Sequence, residues 1–150
     1  MNSRWLRLFV NLWPPYLCTG IHATHLSADY RNAEVELRER WYNRNYVGTH
    51  FGGSLFAMTD AWYMIMLLHN LGPEYYVWDK SASIDYITPG RGTLRAHFHL
   101  DENALQLIRA QTAHGEKYLP EFTVEILNAD KQLVARVVRT LYVRRKKSAR

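Results

Sequence analysis

The sequence predicts an α+β domain in which one curved antiparallel sheet wraps a long buried central helix, with an extra helix at the N-terminus. Three observations carry this. The stretch from Ser54 to Leu68 is the most apolar in the chain and holds one charge, Asp60. A helix apolar on nearly all sides has to be wrapped on most of its surface. On both sides of it lie segments of alternating polarity, such as Ala33-Glu34-Val35-Glu36-Leu37-Arg38, the pattern of a sheet with one wet face. The resulting order is helix, two strands, buried helix, two strands, helix, two strands, and one antiparallel sheet around one helix accommodates it.

The elements follow in chain order. Residues 1–17 read as an amphipathic helix ended by Pro14-Pro15, with Trp5, Leu8, Phe9 and Leu12 on one face, and it is expected to pack on the body. Its apolar core is too short to span a bilayer, and no small-residue cleavage pattern follows it; peripheral membrane contact is the alternative use. Ile21 to Leu26 and Ala33 to Trp41 read as strands joined by a turn at Asp29-Tyr30-Arg31-Asn32. The buried helix spans Ser54 to Asn70 and stops at Gly72-Pro73. Strands resume at Ser81 to Thr88 and around Leu94 to Leu100, divided by Pro89-Gly90. A shorter amphipathic helix covers Asp101 to His114, with Leu105, Leu107 and Ile108 as its apolar positions. Phe122, Val124 and Ile126 mark the next strand. Leu133 to Val143 is apolar on both faces, as a central strand would be. Nothing resembling a repeat or a long linker divides the chain, so residues 1–150 read as a single domain.

Composition narrows the function classes. Apolar content of 47% and charged content of 22% suit an ordinary globular protein, while an aromatic share of 13% points to large packed surfaces or an interface. The net charge of +5 is misleading. Arg144, Arg145, Lys146, Lys147 and Arg150 form a basic tail over residues 144–150, and the other fourteen basic residues are balanced by fourteen acidic ones. A neutral body argues against a nucleic-acid partner, which would meet a basic patch on the folded surface. The tail reads as a solvated terminus, with steering of a phosphorylated ligand or contact with acidic lipid as lesser uses. One cysteine, Cys18, allows no internal disulfide, which suits a cytoplasmic setting, and Cys18 is expected to be a small buried hydrophobe.

The chemistry is expected around the start of the buried helix. Asn45-Tyr46-Val47-Gly48-Thr49-His50-Phe51-Gly52-Gly53 runs directly into it. The glycine pair frees backbone N–H groups at a helix start, where the dipole favours negative charge. Asp60, a carboxylate in an apolar helix, is costly unless it is paired or used. Free amide donors and an isolated acid suit polarisation of a carbonyl.

These residues resemble a known family, the hotdog-fold thioesterases, whose curved sheet wraps a central helix. Gly48-x-x-Phe51-Gly52-Gly53, followed by an acid seven positions after Gly53, is similar to their His-Gly-Gly loop with its Asp or Glu on the helix. Ser83-Ile84-Asp85-Tyr86-Ile87-Thr88-Pro89-Gly90-Arg91-Gly92 is similar to the strand, Pro-containing turn and strand that follow. The whole-chain pattern, including Val134-Ala135-Arg136 and Thr140-Leu141-Tyr142, looks closest to the thioesterase-like DUF4442 group. The resemblance implies a homodimer or dimer of dimers acting on an acyl-coenzyme A or acyl-carrier thioester. Coenzyme A enters only as part of the substrate, and no cofactor or metal is implied. The implied catalytic residues are Asp60 as base or nucleophile, supplied across a subunit interface, the Gly52 and Gly53 amides as oxyanion donors, and His50 in place of the loop histidine. The implied substrate contacts are Asn45, Phe51, Ser54 and Arg91. One departure matters: the family's histidine position holds Phe51, and His50 stands one residue earlier.

Two other functions stay open on these residues. Loss of the loop histidine leaves room for a non-catalytic acyl-binding protein on the same fold. A hotdog dehydratase is a weaker fit, because His50 lies only ten residues before Asp60. His97 and His99, like His22 and His25, lack a third residue at metal-ligand spacing, and neither a serine nucleophile elbow nor a phosphate-cradling glycine loop occurs.

Overall fold

A computed structural model describes residues 2–146. Helix α1 (Ser3–Leu12) starts at Asn2, whose side chain accepts the Arg4 N–H, and runs into the short α2 (Pro14–Leu17). Strands β1 (Ile21–Leu26) and β2 (Asn32–Arg38) follow, then helices α3 (Gly52–Ala57) and α4 (Trp62–Leu71). The second half holds β3 (Tyr75–Tyr86), β4 (Thr93–His99), α5 (Glu102–Gln111), β5 (Lys117–Tyr118), β6 (Glu121–Leu127) and β7 (Leu133–Arg145). The strands form one antiparallel seven-stranded sheet in the order β1-β2-β4-β6-β7-β3, with β5 added beside β7. Irregular pairing at Ala23/His25 in β1 and at Asp79/Ser81 in β3 interrupts the register and helps the sheet to curl.

The alternation read from sequence decides which face is inside. Val35 and Leu37 of β2, Leu94, Ala96 and Phe98 of β4, Val124 and Ile126 of β6, and Val137 and Leu141 of β7 are all buried. The central helical segment lies against them. The Tyr63 ring stacks on Phe122 at 4.2 Å and meets Phe98 edge-on at 5.6 Å, while Trp62 lies 6.0 Å from Phe98. Helix α5, capped by the Asp101 carboxylate on the Ala104 N–H, closes one end with Leu105 and Ile108.

Several expectations need correction. The buried helix covers residues 52–71, but it breaks after Ala57 and resumes at Trp62, with Ala61 in the left-handed region at φ 66°. Asp60 therefore lies in the break, not within a continuous helix. In α1 the packed face carries Leu6 and Val10, and Trp5, Leu8, Phe9 and Leu12 are exposed. Cys18 is exposed. Strand β7 extends through Arg145, so the basic run begins inside the sheet, where Arg144 donates to the Gly115 carbonyl at 2.8 Å. The rest of that run, residues 147–150, lies outside the described residues. None of the described helices is long and apolar enough to cross a membrane.

A left-handed alanine stores strain that glycine does not feel. Ala61→Gly should raise stability by about 0.5 kcal/mol, read as a higher urea midpoint with an unchanged slope.

Candidate functional site

The segment before α3 is built from hydrogen bonds to its own backbone. The Asn45 side-chain oxygen accepts the Val47 and Thr49 N–H groups at 3.1 and 3.0 Å, and its amide donates to the Thr49 hydroxyl at 2.8 Å. That turn needs Gly48 at φ 77°, and Arg91 donates to the Gly48 carbonyl at 2.9 Å. Asn43 ties the loop to the body, donating to the carbonyls of Thr19 and Arg38 at 3.0 and 2.8 Å. Asn45 and Arg91 thus shape the loop with the polar groups expected to meet substrate.

His50 is buried beneath the same loop. Its Nε2 lies 2.7 Å from the Gly92 carbonyl, which makes Nε2–H the donor, and its main-chain N–H donates to the Gly90 carbonyl at 2.9 Å. Its Nδ1 is buried and meets no hydrogen-bond partner among the described residues. The Gly92 N–H in turn donates to the Glu39 carboxylate, which Arg44 also contacts at 2.7 Å. Chiefly that N–H, and after it the Arg44 charge, holds the Glu39 carboxyl below its ordinary range.

These parts wall the larger cavity, a groove of about 570 Å³ lined by Asn45, Thr49, His50, Phe51, Gly52, Gly53 and, opposite them, residues 86–90. Gly52 opens α3, where helix geometry leaves the first amides without an intrahelical acceptor. Among the described residues, neither the Gly52 nor the Gly53 N–H meets an acceptor. Both positions are crowded from the side. A Cβ on Gly52 would come 2.9 Å from the Tyr86 hydroxyl, which donates to the Gly52 carbonyl at 3.1 Å, and one on Gly53 would collide with the Phe51 ring. Phe51 itself is exposed on the rim, while Ser54 is buried in α3. Tyr86 was not singled out as a site residue. Its position at the end of β3, just before the turn into Pro89-Gly90, was the available signal.

Asp60 lies elsewhere. It lines a second, smaller groove of about 220 Å³ between α1 and the start of α4, so one chain does not bring it together with Gly52 and Gly53. Its carboxylate accepts the Ala61 N–H at 2.9 Å and pairs with Arg139 at 2.9 Å. The Asp60 side chain is 57% exposed and that of Arg139 only 5%, so the costly buried charge in this region is the guanidinium. Arg139 also reaches Asp79 at 3.4 Å, the Thr59 hydroxyl at 3.1 Å and the Phe56 carbonyl at 3.1 Å, and it lies over the Phe56 ring. Burial pushes the Asp79 carboxyl up, opposed by Arg139 and reinforced by Asp60. The Tyr16 hydroxyl accepts the Trp62 indole N–H at 2.9 Å and donates to the Asp60 carbonyl at 3.3 Å, and its burial pushes its pKa up. Arg139 too was missed, although alternation puts it on the inward face of β7 with Val137 and Leu141.

The sequence pattern of DUF4442, a domain of unknown function, matches residues 2–143. The chain belongs to the DUF4442 family. No curated protein matches the sequence. Among solved structures, the Pseudomonas aeruginosa protein PA5026, described as a probable thioesterase of unknown function, superposes with a TM-score of 0.83 at 15% identity over 97% of both chains. The Haemophilus influenzae thioesterase HI1161 gives a TM-score of 0.68 at 13% identity, covering 95% of this chain and 90% of its own. The Escherichia coli PaaI protein of the phenylacetic acid degradation operon gives 0.64 at 18% identity, covering 98% and 97%. Identities this low establish the fold, and it is the hotdog-like fold shared by these three proteins. Among the described residues, no three His, Cys, Asp or Glu side chains gather as a metal site requires.

Arg139→Met leaves buried acceptors unpaired and should cost about 3 kcal/mol, whereas Asp60→Asn, at an exposed partner, should cost less than about 1 kcal/mol; urea midpoints of the two variants separate the cases. The lowered Glu39 pKa makes its contribution to stability complete above its unfolded value of about 4.3 and lost as pH falls through the lower folded value. The stability gap between wild type and Glu39→Gln, followed by urea unfolding from neutral to acidic pH, should therefore close as the solution passes below about pH 4.

Proposed function

We propose that this DUF4442 protein hydrolyses an acyl thioester carried on coenzyme A or on a carrier protein. The observation that supports the reading best is the groove whose wall holds two adjacent amides, Gly52 and Gly53, that meet no acceptor among the described residues. A thioester carbonyl seated there would gain charge as water attacks, and such preset donors are each worth on the order of 3 kcal/mol in the transition state. Asp60 takes the proton from the attacking water, or attacks directly to form an acyl anhydride that water then hydrolyses; in either case the carbonyl oxygen carries the negative charge until the C–S bond breaks and the thiolate leaves. Within one chain Asp60 opens onto the other groove, so the proposal includes a homodimer, or a dimer of dimers, in which one subunit's Asp60 faces its partner's loop. His50, Asn45 and Arg91 serve by fixing that loop, and Phe51, on the rim of the groove, by shaping the path of the substrate.

A second reading rests on Asp60 being engaged with Arg139 and on Phe51 standing where similar proteins carry histidine. On that reading the groove binds an acyl ligand without cleaving it.

Thiol release from short, medium and long acyl-coenzyme A substrates separates the two. Hydrolysis by the wild type should fall about a hundredfold or more in both Asp60→Asn and Asp60→Ala, with solution mass and unfolding midpoint retained. Saturable binding of acyl-coenzyme A without thiol release from any member of the panel would favour the binding protein.

A further inference from the structure

Helix α1 is held so that its apolar face looks outward. Asn11 mimics a neighbouring strand: its amide donates to the Ala23 carbonyl at 3.0 Å, and its oxygen accepts the Ala23 N–H at 2.7 Å. Arg7 donates to the Thr24 carbonyl next to it. These side chains cover the free edge of β1, which pairs only with β2. With Leu6 and Val10 turned to the core, the rotation of the helix is settled. Trp5, Phe9 and Leu12 are then 66%, 65% and 61% exposed, and Leu8, Trp13 and Leu17 extend the same uncovered surface. A contiguous apolar surface of this kind is costly in water and marks a contact site.

The charge around it indicates what the contact is. Arg4 is exposed on this helix, the first acidic residue of the chain is Asp29, and Asp60, the carboxylate in the groove that α1 walls, is paired with Arg139. Two copies joined through this face would set one acid-free basic segment against another. An anionic bilayer complements both the sign and the character of the surface, because tryptophan, phenylalanine and leucine enter the headgroup boundary while arginine meets lipid phosphate.

We propose that α1 is a membrane-docking helix that lies in the plane of an anionic lipid surface and holds the domain there. The claim does not rest on the thioesterase reading; it requires that a partner loop facing Asp60 leave Trp5, Leu8 and Leu12 of α1 uncovered. The test is co-sedimentation of the full chain with vesicles of phosphatidylcholine alone and of phosphatidylcholine mixed with phosphatidylglycerol. Binding to the anionic vesicles should exceed that to neutral ones about tenfold and weaken in high salt. The double variant Trp5→Gln/Phe9→Gln should lose about tenfold or more of this binding, and Arg4→Gln about threefold, with unfolding midpoints unchanged because all three side chains are exposed. Full-length protein that stays in the supernatant with anionic vesicles would overturn the proposal. So would a double variant that keeps its vesicle binding but changes solution mass, which would assign the face to contact between copies.

Discussion

Arg139 is the interaction on which the arrangement around the helix break depends. A guanidinium in the concave face of a sheet is expensive to desolvate, and it persists because each side of it is met by an acceptor. It joins β7 to Asp79 of β3, to Thr59 and the Phe56 carbonyl at the end of α3, and to Asp60 in the break. The break frees carbonyl groups that a continuous helix would have used internally. Arg139 and Tyr16 accept that role, and Ala61 takes the left-handed turn that redirects the chain into α4. The buried cation and the helix break therefore belong together: the guanidinium finds its acceptors in the Asp60 and Asp79 carboxylates, the Thr59 hydroxyl and the Phe56 carbonyl, all but Asp79 at the break.

The loop at the other end of α3 uses the opposite strategy. There the polar side chains are turned inward to the backbone, and the backbone supplies the free donors. Asn43, Asn45, His50, Glu39 and Arg91 each contact main-chain atoms of the loop or its neighbours. Their combined effect is a hydrogen-bonded rim in which the Gly52 and Gly53 amides meet no acceptor among the described residues. Preset donors of this kind need no reorganisation when charge develops in front of them, which is why the groove, more than any single side chain, carries the functional reading. The close fit of the Tyr86 and Phe51 rings over the two glycines leaves no space for a side chain at either position.

Asp60 joins these two ends of the problem. In one chain it borders the groove beside α1, away from the amides, and it is half committed to Arg139. The same ion pair that stabilises the break also fixes the direction of the carboxylate, so a structural and a chemical role are compatible at this residue. Helix α1, whose polar side chains are spent on the edge of β1, forms the outer wall of that groove and leaves its aromatic face to the surroundings.

Much of this molecule was legible in the chain. Period-2 alternation marked the inward residues of β2, β4 and β6, and continuous apolar character marked the wrapped segment and the central position of β7, because burial on one face or on both writes itself directly into residue order. The Gly-Gly helix start was likewise visible, since a helix start demands free amides wherever it falls. Three features were not. The break at Asp60–Ala61 carries no proline or glycine; what meets it is Arg139, nearly eighty positions from Asp60, which pairs with the Asp60 carboxylate and donates to the Phe56 carbonyl. The outward face of α1 could not be told from an inward one, because an amphipathic pattern gives the spacing of a face and not its direction. Asn11 and Arg7 decide that direction by binding the edge of β1. Asn45, His50 and Arg91 follow the same rule: residue type and spacing predict that a polar group needs a partner, and only the folded chain shows which backbone groups each one meets.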